Sequence, residues 1–133
     1  MTDTIVFDTL IAYLDDEPGS DVVEAWIDRV ASGAVEGYMS PVTKTDVLYV
    51  GSRVGFHLED VRASLDRLED LGVTVYDPRE CWGITAAFKD TMALGDAYAL
   101  ATAEAVDGTL LVGGDTDFDD LEDDVERFRD EPA

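Results

Sequence analysis

The chain has 133 residues, 46% of them hydrophobic, and carries a net charge of −22 from 31 acidic and nine basic side chains. That length suits one domain, residues 1–133, with its own core. The apolar runs are too short to span a bilayer and no signal peptide opens the chain, so a cytoplasmic location without a membrane partner is expected, and the lone Cys81 rules out an intrachain disulfide or a thiolate zinc site.

Thr4 to Phe7 reads as a short buried strand, and Leu10 to Leu14 begins a helical turn. Pro18-Gly19-Ser20 punctuates, and Asp21 with Glu24 has capping-box spacing for a helix through Val22, Val23, Trp26, Ile27 and Val30 that ends near Gly33. Tyr38 and Met39 form a brief second strand. Ser40-Pro41 is an N-cap and N1 pair opening a helix that runs to about Gly55. Leu58, Val61, Leu65, Leu68 and Leu71 follow helical spacing, and Gly72 closes that helix. Its apolar positions suit a homodimer as well as a core.

Val73 to Tyr76 is a third strand. Asp77-Pro78-Arg79-Glu80 opens a helix through Phe88, and another runs from about Gly95 to Val106, ending at Gly108. Thr109 to Val112 and Val125 to Phe128 complete the strands. Alternation of strands and helices predicts an α/β fold around a mostly parallel sheet covered on both faces. In such sheets the functional edge lies just past the strands' C-terminal ends. Asp8 and Asp115 both follow strands there.

Asp46 and Asp96 fall in predicted helices among apolar neighbours: Val42, Tyr49 and Val50 around Asp46, and Met92, Ala99, Leu100 and Ala103 around Asp96. Clustered carboxylates are costly unless a positive group holds them, and a divalent cation of phosphodiester-hydrolysing type accounts for the set. Each acid also has an ordinary reading. Asp8 caps a turn, Asp96 favours a helix N-terminus, Asp46 sits at an amphipathic boundary, and Asp115 and Asp117 belong to an acidic loop. Asp115 to Glu126 imitates a calcium loop, but Asp120 stands where the turn needs Gly. His57 starts a helix facing solvent, and Cys81 beside Trp82 reads as packing. Arg53, seven residues after Asp46, reads as a surface residue within reach of a phosphate.

No basic patch marks a nucleic-acid surface. Acid enrichment along the whole chain, with only Lys44 and Lys89 as lysines, looks like the composition of halophile proteins, whose surface repulsion concentrated salt screens.

Ile5-Val6-Phe7-Asp8-Thr9, Ser40-Pro41-Val42-Thr43 leading to Asp46, Gly95-Asp96-Ala97 and Leu111-Val112-Gly113-Gly114-Asp115-Thr116-Asp117-Phe118 resemble, in order, the PIN domain, which includes the VapC-type toxin ribonucleases. The resemblance implies a three-layer α/β/α sandwich with four to five strands. It also implies a metal-dependent endoribonuclease using Mg²⁺ or Mn²⁺, with RNA as substrate and an antitoxin protein and a second copy as further partners. Asp8, Asp46, Asp96 and Asp115 match the family's acidic quartet. Asp8, Asp96, Asp115 and Asp117 are the expected metal ligands, and Thr9 matches the hydroxyl supporting the first acid. Asp46 stands where the family usually has Glu, and Leu10 where Asn or Ser is common. Those departures motivate an alternative, a catalytically silent PIN-like binding module. A phosphoacceptor receiver domain fits less well, because Asp8-Thr9 lacks the adjacent acid and no lysine follows Lys89.

Overall fold

The buried apolar runs pair side by side as parallel strands, and the amphipathic segments between them return the chain across the sheet. The computed structural model describes residues 3–8, 10–14, 18–77, 82–87, 90, 92–112 and 125–127. Its strands are β1 (Asp3–Phe7), β2 (Val35–Met39), β3 (Val73–Val75), β4 (Thr109–Val112) and β5 (Val125–Arg127). They form one sheet in the order β3-β2-β1-β4-β5, and every neighbouring pair is parallel. Val6 stands opposite Tyr38, and Phe7 opposite Leu111.

Strand alternation sends side chains to two separate cores. Ile5, Phe7, Val35, Met39, Val73 and Leu111 face one side, covered by α2 (Ser20–Ala31) and α4 (Leu58–Leu71), with Val47 of α3 (Pro41–Arg53) and Leu10. Val6, Leu110 and Val112 face the other, covered by α6 (Leu94–Val106) through Ala97, Ala99, Leu100 and Ala103. The result is a three-layer α/β/α sandwich. A one-turn α1 (Ile11–Leu14) and a short α5 (Trp82–Ala87) complete the helices described.

Most predicted boundaries hold, and the departures have local causes. The Asp21–Glu24 box does not cap α2. Gly19, at φ 92°, is the N-cap, and its carbonyl accepts from the amides of Val22 and Val23, so the helix starts before Asp21. The strand read at Tyr38-Met39 extends back to Val35. The helix expected to end at Gly108 stops with Asp107 in the left-handed conformation, at φ 54°. Gly108 is needed for another reason: a Cβ there would lie 3.0 Å from Thr4 Cγ2. Of the α4 positions that suit a dimer or a core, Val61, Leu65 and Leu68 are buried in the core of the same chain, while Leu58 is 49% exposed.

Candidate functional site at the sheet edge

β2 and β3 extend the sheet on one side of β1, while β4 and β5 extend it on the other. The strand order therefore reverses between β1 and β4, where open parallel sheets form a crevice beyond their carboxyl ends. Asp8 sits at that point. Its amide donates to the Leu111 carbonyl at 3.2 Å, carrying the β1–β4 ladder one residue past the strand. The residue is only 9% exposed. A carboxylate at that depth is tolerated only with hydrogen bonds or positive charge around it.

Two helix N-termini reach the same edge. Close approach of Gly108 to Thr4 puts the end of α6 beside the start of β1, so α6 begins beside the end of β1. Asp96 is its third residue and is half-buried, one turn before Ala99 and Leu100 on the stripe facing the sheet. The helix dipole favours a carboxylate there. α3 opens directly after β2. Ser40, fully buried, accepts a 3.0 Å hydrogen bond from the Thr43 amide, and Pro41 occupies the first helical position. The starts of α3 and α6 are neighbours, since a Cβ at Gly95 would stand 4.0 Å from Val42 Cγ1.

Asp46 lies one turn beyond Val42 and is exposed, so its apolar helical neighbours do not bury it. Its neighbours Val42 and Tyr49 lie on an outward face, and with Pro41 and Thr45 they form a shallow hollow of about 350 Å³ that includes Asp46. Among the described residues, no three His, Cys, Asp or Glu side chains are grouped closely enough to hold a metal. Asp115, Asp117 and Thr9 lie outside the described residues. The structure thus brings Asp8 and Asp96 to one edge, with Asp46 on the adjoining helix surface.

Leu10 is fully buried in the core with α2 and α4. An apolar side chain is what that position requires. His57 is exposed at the start of α4, as expected, whereas Trp82 is 58% exposed instead of packed inside, and Cys81 lies outside the described residues.

Compared with known protein families, residues 5–124 match the PIN domain. The chain belongs to the PIN-domain family. A sequence search of curated proteins finds no match. PIN domains are commonly nucleases and typically use divalent metal ions. The candidate donors of this PIN domain suit such an ion, because they are all carboxylates and hard oxygen ligands favour Mg²⁺ or Mn²⁺ over softer metals. No helix among the described residues is long and apolar enough to cross a membrane.

Proposed function

We propose that this PIN domain is a metal-dependent endoribonuclease, formed by residues 1–133 as one domain and working in the cytoplasm. The observation that carries the reading is the position of Asp8: a buried carboxylate at the switch point of a parallel sheet, with the N-terminus of α6 and its Asp96 at the same edge. Asp8, Asp96, Asp115 and Asp117 hold the cation in this reading. Mg²⁺ or Mn²⁺, when bound, supplies Lewis-acid polarisation of a phosphate oxygen and activation of a water.

The chain's own contributions follow from placement. Asp8, fixed by the β1–β4 ladder, sets the depth of the site, and Asp96 presents its carboxylate from a rigid helix start. Asp46, exposed on the outer surface of α3, binds a metal directly or orients the water in this reading. Helix N-termini at the edge favour the anionic phosphodiester. The toxin half of a toxin–antitoxin pair, with an antitoxin protein as partner, is the cellular role that the resemblance to VapC-type ribonucleases adds to this reading.

The test is cleavage of a mixed RNA substrate in concentrated KCl, with Mn²⁺ or with EDTA. Cleavage is expected to need the metal and to fall by about two orders of magnitude or more in Asp8→Asn and in Asp115→Asn. Intact RNA with folded wild-type protein in every metal and salt condition would favour the silent binding module instead, a reading to which the exposed, shorter Asp46 lends weight.

A further inference from the structure

The acids of this chain are not spread evenly. Between Glu36 and Glu59 the only acid is Asp46, although an even distribution of the 31 acids would put about five there. That interval contains α3, whose outward face carries Val42, Thr45, Asp46, Tyr49 and Arg53 at helical spacing. Thr43, Val47 and Gly51 occupy the opposite, buried face. Tyr49 is 64% exposed, and the Arg53 guanidinium lies 5.7 Å from the centre of its ring. The hollow at Asp46 shares Thr45 and Tyr49 with a second one of about 410 Å³, bounded by Arg53 and Leu58. Together they form a shallow groove running from the candidate catalytic edge along α3.

We infer that this groove is the track for single-stranded RNA, with a base stacked on Tyr49 and a phosphate paired with Arg53. The inference rests on the nuclease reading and adds the residues that seat the substrate. A polyanion approaching a chain of net charge −22 is repelled everywhere except where acids are missing. Here the missing acids coincide with an arginine that no carboxylate pairs with among the described residues. Lys44, the other cation of the helix, is engaged by Glu69 at 2.7 Å. A comparable guanidinium–aromatic pair, Arg29 over Trp26 at 4.2 Å, sits on α2 beside Asp21, Glu24 and Asp28, where a phosphate is disfavoured. Stacking on an exposed ring is insensitive to base identity and persists in salt that weakens phosphate contacts.

The experiment is binding of a labelled single-stranded RNA oligonucleotide in EDTA across a KCl series, read by fluorescence anisotropy, with sedimentation of each protein alongside. Tyr49→Ala is expected to weaken binding about tenfold, and Tyr49→Phe to retain it. Arg53→Gln is expected to weaken binding and reduce the slope of log affinity against log salt by about 0.7. Arg29→Gln should match the wild type, and a duplex of the same sequence should bind less tightly than the single strand. Wild-type affinity in Tyr49→Ala and Arg53→Gln would overturn the track. If that result came with a change from dimer to monomer, the groove would be an interface between copies. If those variants bound normally while wild-type cleavage still required Asp8, the track would fall and the nuclease reading would stand. Wild-type protein that neither bound nor cleaved RNA would remove both.

Discussion

Ser40 shows how one residue links the end of a strand to the start of a site. It follows β2, is fully buried, and its hydroxyl oxygen accepts from the Thr43 amide. Helix starts leave several amides without intrahelical partners, and here one of them would be stranded away from water. Ser40→Ala is therefore expected to destabilise the fold by about 1–2 kcal/mol. Urea unfolding in concentrated KCl checks this, and an unchanged midpoint would mean that another group supplies the cap. Ser40-Pro41 was readable directly from the sequence, because cap chemistry is local. Asp46 was not. Helical spacing correctly listed its neighbours as Val42, Tyr49 and Val50, but spacing says nothing about whether that face meets a sheet or water. Tyr49, the aromatic that marks the groove, is hidden for the same reason, although the run from 37 to 58, with Asp46 as its one acid, points to it.

At the scale of elements, the distance of α2 from the sheet depends on one missing methyl. A Cβ at Gly37 in β2 would lie 2.8 Å from Val30 Cγ2 and 3.1 Å from Val30 Cγ1. Close packing leaves no room for it, so Gly37→Ala is expected to cost about 1–3 kcal/mol. Val30→Ala removes both clashing atoms, and the double variant should be less destabilised than the sum of the single changes. Additive losses in chemical denaturation would show that the helix and strand do not meet there. The same glycine explains why β2 looked short in the sequence. Val35, Gly37 and Met39 are buried alternately with an exposed Glu36, but glycine and glutamate are weak strand formers and hide the period. The parallel order of strands was legible because helices separate most of them. The reversal between β1 and β4 required the pairing itself, which no local pattern encodes.

At the scale of the molecule, the charge opposes folding in dilute solution. Net charge far from zero destabilises the compact state through self-repulsion. The Lys44–Glu69 bridge is partly exposed and contributes at most about 1 kcal/mol. Salt offers a larger correction, because the Debye length falls from about 10 Å at 0.1 M to about 3 Å at 1 M. The melting temperature is therefore expected to rise steeply with KCl over that interval and flatten beyond it. Ions that strengthen apolar burial by exclusion from the surface would instead keep adding stability as their concentration increased. Thermal unfolding followed by circular dichroism across the KCl series separates the two. A flat response would show that the acids are far enough apart to be harmless in any solvent, and a continuous linear rise would assign the salt requirement to the core. A steep rise that saturates would identify the surface as the part adapted to salt, and would account for α3 keeping an acid-poor groove where a polyanion has to approach.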